Sequence, residues 1–162
     1  MRVYIGLGSN LDNPQTQIKT AIDDIAQLAQ TTLVQTSSLY KSPPMGPQDQ
    51  PDYINAVVCV DTHLSAHALL DALQAIEQSH GRIRKRHWGE RTLDLDILLF
   101  ADQVINDERL NVPHPGISDR PFVLYPLAEI APDVNIPQRG NIKQLQKTCP
   151  PEGLDKVENS AL

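Results

Sequence analysis

Long apolar runs are missing from this 162-residue chain. The two longest, 56–60 and 97–101, are a quarter of the ~20 residues that a membrane-spanning helix needs. No basic region followed by an apolar stretch opens the sequence, so no secretory leader is expected and the chain reads as soluble and cytoplasmic. Cysteine is scarce. Cys59 and Cys149 share no CxxC spacing, which sets aside redox chemistry and a zinc ribbon; Cys59 is expected in the core and Cys149 in a loose tail. Cations are in the minority: 20 Asp plus Glu against 14 Lys plus Arg give a net charge of −6, which excludes a general binder of nucleic acid or anionic membranes. Glycine-rich phosphate loops are absent as well, since Gly6-Leu7-Gly8 is followed by Leu11 where a dinucleotide fingerprint needs its third glycine, and no GxxxxGK[ST] occurs. His63 and His67 are four apart, but residue 64 is Leu rather than the Glu of a zinc protease, so they read as a surface pair. One tryptophan, four tyrosines and two phenylalanines leave a mostly aliphatic core, and single out Tyr53, Trp88 and Phe122, which lie beside polar sequence.

What is present is one compact domain, expected over 1–149, with 150–162 as a loosely ordered tail. A strand over 2–8 precedes a helix that Asp12 or Asn13 caps and Pro14 starts, with Ile18, Ala21, Ile22, Ile25, Leu28 and Ala29 at helical spacing. A second strand is expected over 33–40, a third over 53–61 and a fourth over 92–100. Between the third and fourth, a helix over 65–80 ends at Gly81. Four prolines in the eleven residues 42–52 make a stiff loop that forbids helix and central strand. Short pieces near 104–105 and 110–112, a helix from 118–121 onward and another over 141–147 complete the chain. The order strand, helix, strand, strand, helix, strand is that of an α+β ferredoxin-like split βαβ unit, a mainly antiparallel sheet with helices on one face.

The most informative segment is Leu93-Asp94-Leu95-Asp96-Ile97. Alternation along a strand sends Asp94 and Asp96 to one face, about 7 Å apart at their roots, and Leu93, Leu95 and Ile97 to the core. A solvated strand face reads the same way, but two like charges so placed also suit a hard cation such as Mg²⁺, which keeps waters and substrate phosphates as ligands. The neighbouring segment favours the cation. Arg82, Arg84, Lys85, Arg86 and Arg91 fall in one ten-residue window with a single acid, Glu90. Guanidinium forks bind phosphate oxygens bidentately, so this basic run beside two carboxylates is the inventory for a nucleoside triphosphate with its metal. Gly81 and Gly89 bracket the run and would let it close over a ligand. His114, held between Pro113 and Pro115, is placed to aim an imidazole at a phosphate or a base.

These segments, with Gly8-Ser9-Asn10-Leu11, Ser42-Pro43-Pro44-Met45-Gly46, Asp52-Tyr53-Ile54-Asn55-Ala56, Gly81-Arg82-Ile83-Arg84, Trp88-Gly89-Glu90-Arg91-Thr92 and Val112-Pro113-His114-Pro115, resemble the 6-hydroxymethyl-7,8-dihydropterin pyrophosphokinase family over nearly the whole chain. The resemblance implies transfer of diphosphate from ATP to the pterin hydroxymethyl oxygen, with release of AMP, as a step of folate biosynthesis. It implies that Asp94 and Asp96 hold two Mg²⁺ ions and that Arg82 and Arg91 neutralise the transferred group. By the same match Arg84, Lys85, Trp88, Ile97, Arg109, His114 and Arg120 line the ATP side. The pterin would stack between Tyr53 and Phe122, read by Asn55 and the Ser42, Pro43, Pro44 and Met45 loop. The implied partners are these small molecules alone, with a monomeric protein and no nucleic acid or membrane.

Three positions depart from the family pattern: His87 stands where Arg is usual, Glu90 where Pro is common, and Ser42 for the more usual Thr. The first two are expected to make nucleotide grip pH-sensitive and closure of the basic loop slower or less complete. No general base is evident; Asp96 or a metal-bound water near the hydroxyl is the working hypothesis. Two other readings stay open at this point, a non-catalytic pterin or nucleotide-binding module and a metal-dependent nuclease using Asp94 and Asp96. The net charge opposes the nuclease, and the four residues Arg82, Arg91, Asp94 and Asp96 together exceed what a binding module needs.

Overall fold

The structure is a computed structural model that describes residues 1–11, 13–44, 49–81, 92–151 and 153–157. In chain order the elements are β1 (Arg2–Ser9), α1 (Pro14–Ala26), β2 (Thr31–Thr36), β3 (Tyr40–Ser42), β4 (Tyr53–Thr62), α2 (Ala66–Ser79) and β5 (Asp94–Phe100), then β6 (Ile105–Asn106), β7 (Asn111–Val112), α3 (Pro121–Ile130), β8 (Asn135–Ile136), β9 (Gly140–Asn141), α4 (Ile142–Thr148) and β10 (Asp155–Lys156). The main sheet is antiparallel in the order β10-β3-β4-β1-β5, and β2 pairs with the far half of β4 beyond β3. This is the ferredoxin-like arrangement expected from the element order, in which the first and third long strands lie side by side at the centre.

Each end of α2 is set locally. The Ser65 hydroxyl accepts from Ala68 N at 3.2 Å, and Gly81, at φ 68°, donates its N–H to Gln78 O at 3.0 Å as a left-handed stop. The start of α1 differs from expectation. Asn13 makes no side-chain cap; it adopts the left-handed conformation (φ 60°, ψ 72°) that Asn tolerates, and its carbonyl accepts from Gln17 N at 3.1 Å. Asp12, the other capping candidate, lies outside the described residues.

The strand expected over 33–40 is two strands, β2 and β3. Between them Ser37 takes over a ladder position: its N–H donates to Val57 O at 2.8 Å, but Val57 N donates to the Ser37 hydroxyl at 2.9 Å rather than to a carbonyl. The chain bends there and β3 continues along the near half of β4.

Helices cover both faces of the sheet, where one face was expected. Val3, Ile5 and Leu7 of β1 pack with Ile18, Ile22 and Ile25 of α1 and Leu69, Leu73 and Ile76 of α2. On the other face Val57, Cys59, Leu98 and Leu99 pack with Val123, Leu124, Leu127 and Ile130 of α3. The cause is written in β4, whose unbroken apolar run is buried on both sides rather than alternating. Cys59 is a core thiol as expected, whereas Cys149 is also buried, against the α3 layer, and both are free. The expected loose tail is corrected over its described part: β10 extends the sheet beside Tyr40 and Lys41, and Val157 N donates to Leu39 O at 2.9 Å. Among the described residues no helix is long and apolar enough to cross a membrane.

Candidate active site

Strand parity builds the pocket. On the α3 face, β4 presents Tyr53, Asn55 and Val57, β1 presents Gly6 and Gly8, and β5 presents Asp94, Asp96 and Leu98. The register aligns them in rows: Asn55 is paired with Gly8 and Gly8 with Asp94, while Val57 is paired with Gly6 and Gly6 with Asp96. With strands ~4.8 Å apart, each row sets the β4 residue roughly 10 Å from its carboxylate across a glycine floor. A side chain on that floor would stand in the pocket; a Cβ at Gly8 would lie 3.5 Å from Asn55 Oδ1, and one at Gly6 would lie 3.3 Å from Leu98. The second wall comes from the start of α3, with Arg120, Phe122 and Val123, and from Ser42 and Pro43 at the end of β3.

Side chains are fixed by neighbours on the same strands. Asn55, 3% exposed, donates from Nδ2 to Ser42 Oγ at 2.8 Å, which orients its Oδ1 toward Gly8. Asn10 Nδ2 donates to Gln50 Oε1 at 3.0 Å and Pro51 O at 2.9 Å, tying the end of β1 to the segment that precedes Tyr53. Ser9 Oγ donates to Thr92 O at 2.5 Å and Thr92 Oγ1 to Gly81 O at 3.2 Å, so the two ends of the basic segment meet at one place beside β5.

The edge of the sheet carries a residue that sequence reading passed over. Glu77, in the last turn of α2 and 5% exposed, accepts the Leu95 N–H at 2.8 Å. That N–H points away from β1, between the two acids, and a buried carboxylate closes an edge that among the described residues has no further partner strand. Glu77→Ala leaves a buried donor unsatisfied, and a loss of about 1–3 kcal/mol is expected in urea unfolding.

His114 lies beside Asp96, with Nε2 4.0 Å from Asp96 Oδ2, and its backbone N–H donates to Leu98 O at 3.0 Å. Its Nδ1 accepts from Gly116 N at 3.0 Å, so the neutral ring carries its proton on Nε2, facing the acid. Burial lowers its pKa below the ordinary histidine value, with Arg120 and Arg139 reinforcing the effect and Asp96 opposing it. The unfolded chain therefore binds the extra proton first, and this residue's contribution to stability falls as pH drops below about 6.5. Nitrogen-15 NMR of the ring at neutral pH is expected to report the Nε2–H tautomer.

The structure thus brings together Ser42, Pro43, Tyr53, Asn55, Asp94, Asp96, Arg120 and Phe122, with His114 adjacent. Pro44 is buried next to this wall without lining the pocket. Two residues assigned to the ATP side by resemblance do not line this pocket. Ile97 packs its side chain in the α1 and α2 core, as alternation requires. Arg109 pairs on the surface with Asp71 and Gln74 of α2. Met45, Arg82, Arg84, Lys85, His87, Trp88, Glu90 and Arg91 lie outside the described residues. Gly6 and Gly8 went unread as a floor because their spacing was tested only against a phosphate loop, whereas on a strand the same spacing clears one face.

Comparison with known proteins addresses the same residues. The family model for 7,8-dihydro-6-hydroxymethylpterin-pyrophosphokinase (HPPK) matches residues 4–132. The chain is 51% identical over 156 residues to a 2-amino-4-hydroxy-6-hydroxymethyldihydropteridine pyrophosphokinase of Pseudomonas aeruginosa, covering 96% of each chain. It is 55% identical over 144 residues to the protein of that name from Haemophilus influenzae, covering 89% of this chain and 90% of the relative. Among solved structures it superposes on Plasmodium falciparum HPPK-DHPS with SDX-DHP at a TM-score of 0.72 and 14% identity, covering 91% of this chain and 44% of that one. That likeness bears on the fold alone, and the chain spans less than half of that protein. The family model takes in most of β1 together with β3, β4, β5 and the start of α3, the five elements that form the pocket, and with the two bacterial relatives it shows that this chain belongs to the 7,8-dihydro-6-hydroxymethylpterin-pyrophosphokinase family.

Proposed function

We infer that the chain catalyses diphosphoryl transfer to the hydroxymethyl group of 6-hydroxymethyl-7,8-dihydropterin, a step of folate biosynthesis, and we propose ATP as the donor. The observation that carries this reading is the row Asn55, Gly8, Asp94: one sheet holds an amide acceptor and an aromatic face on one strand, carboxylates two strands away, and bare backbone between them. A flat heterocycle with N–H donors on one edge suits the first end. Asn55 Oδ1 accepts from that edge while its Nδ2 is held by Ser42, and Tyr53 and Phe122 supply faces for stacking.

The carboxylate end fits Mg²⁺. Asp94 and Asp96 share a face at the pocket, and Asp96 is half exposed. Carboxylate oxygens from two residues on one strand face leave coordination positions for waters and phosphate oxygens, which suits Mg²⁺. When bound, Mg²⁺ would supply charge neutralisation along the polyphosphate. Asp94 and Asp96 would hold it; Arg82 and Arg91 would offer guanidinium forks to the transferred group, and Arg84, Lys85, Trp88, His114 and Arg120 would bind the nucleotide. The hydroxymethyl oxygen attacks the β-phosphorus, the bond from that phosphorus to the α,β-bridging oxygen breaks, and its electron pair leaves with AMP. The hydroxyl proton passes to Asp96 or to water. The protein's own share is alignment of the oxygen, charge compensation and exclusion of water.

Chromatography of a reaction with ATP and Mg²⁺ tests the reading. AMP is expected only when the hydroxymethyl pterin is present and not with its 6-methyl analogue. AMP formed without pterin, or ADP as the nucleotide product, would contradict it.

A further inference from the structure

We propose that Glu129 is a positioning residue that sets the width of the aromatic cleft between Tyr53 and Phe122, an inference that rests on those two rings being the faces of the pterin site. The rings belong to different layers, Tyr53 to the sheet and Phe122 to α3, so the gap between them depends on how α3 is seated. Apolar contacts of Val123, Leu124, Leu127 and Ile130 hold the helix against the sheet, but such contacts are non-directional. Glu129 supplies direction. It lies seven residues after Phe122, two turns along the same stripe of α3.

Its carboxylate is a fork closed by a single short segment of the sheet. Ser38 N donates to Oε1 and Oε2 at 3.1 Å each, Ser38 Oγ donates to Oε2 at 2.9 Å, and Tyr40 OH donates to Oε1 at 2.6 Å. Burial disfavours the charge, yet the Tyr40 and Ser38 hydrogen bonds outweigh it, with Lys156 adding to them, and hold the Glu129 pKa below the usual carboxylate range. Burial and the same contact push the Tyr40 hydroxyl up, so it remains the donor. Residues 38–40 lead directly into the strand that carries Ser42, which pairs with Tyr53 and accepts from Asn55. One carboxylate therefore fastens the helix bearing Phe122 to the strand that braces Tyr53 and Asn55.

The lever is large for its size. A ring ~5 Å from a helix axis moves about 1 Å when the helix turns by ~10°. A gap of 0.5–1 Å forfeits roughly a quarter to a half of a dispersion contact. Small rotations of α3 thus cost stacking while leaving Asp94 and Asp96 on β5 unaffected, and Arg120, at the N-cap of α3, has a long side chain whose rotamers absorb a shift of this size.

Calorimetric titration of Glu129→Ala tests this, first with a non-hydrolysable ATP analogue plus Mg²⁺ and then with hydroxymethyldihydropterin at saturating analogue. Glu129→Ala is expected to weaken pterin binding about 10-fold with analogue affinity within twofold of the parent. Glu129→Gln, which keeps one acceptor oxygen, is expected to recover part of the loss, and Tyr40→Phe to weaken pterin binding in the same direction by less. Pterin affinity within twofold of the parent in Glu129→Ala, or equal weakening of pterin and analogue, would overturn the proposal. Phe122→Ala separates the two levels: if it weakens pterin binding and Glu129→Ala does not, the positioning role fails alone, and if neither does, the assignment of the cleft fails with it.

Discussion

Replacing Asp94 and Asp96 together by asparagine lowers turnover at saturating Mg²⁺ by about 1,000-fold or more, equivalent to roughly 4 kcal/mol of lost transition-state stabilisation. Pterin affinity is expected to stay within about threefold, because Tyr53, Asn55 and Phe122 lie across the glycine floor on other elements. Stability provides the control. Urea unfolding of the double variant is expected to remain a single cooperative transition, and circular dichroism to match the parent. Activity lost without loss of fold separates a metal-holding role from a structural one. Near-normal turnover of the double variant at saturating Mg²⁺ would remove these residues from the catalytic assignment.

The second large effect falls on the opposite end of the pocket. Tyr53→Ala and Phe122→Ala are each expected to weaken pterin binding by about 10–100-fold, in line with ~1–3 kcal/mol for removing one aromatic face from a stacked heterocycle. Affinity for the nucleotide should change little. Phe122→Leu, which retains apolar area without the flat face, is expected between the parent and the alanine variant. Equal losses for pterin and nucleotide would place these rings outside the pterin site. Competition titrations of both ligands against each variant make the comparison.

How much of this was legible before the structure depends on whether a signal is local. The alternation in Leu93-Asp94-Leu95-Asp96-Ile97 places the acids on one face and Ile97 in the core, and the structure agrees on both. The resemblance put Ile97 on the nucleotide side, and for its side chain the strand period is the better guide. Ser65 and Gly81 mark α2 because cap and stop are properties of single residues. Asn13 failed as a cap for a related reason: its residue type also suits the left-handed conformation that it adopts, and sequence does not choose between the two.

Other features depend on residues far apart in the chain. Glu77 carries no local mark, because its partner is a backbone N–H eighteen positions away, at a sheet edge that exists only once β5 is in place. The break between β2 and β3 arises where the Ser37 hydroxyl replaces a carbonyl opposite Val57, a substitution invisible in a strand-like run. Placement of α3 on the second face was latent in β4, whose apolar residues do not alternate, yet nothing local says which helix covers them. Among the site residues, Tyr53 and Phe122 stood out as scarce aromatics beside polar sequence, whereas Asn55 came from the family resemblance alone. The glycine floor required the register of β1 against both of its neighbours.

The central claim is that one sheet aligns a pterin hydroxymethyl group with the β-phosphorus of a nucleoside triphosphate. ATP labelled with oxygen-18 at the non-bridging β-oxygens, followed by phosphorus-31 NMR during turnover, tests it most directly. The account predicts that all of the label moves into the pterin diphosphate and that unlabelled AMP accumulates. Label retained in a nucleotide product, as in transfer of the γ-phosphoryl group alone, would contradict it.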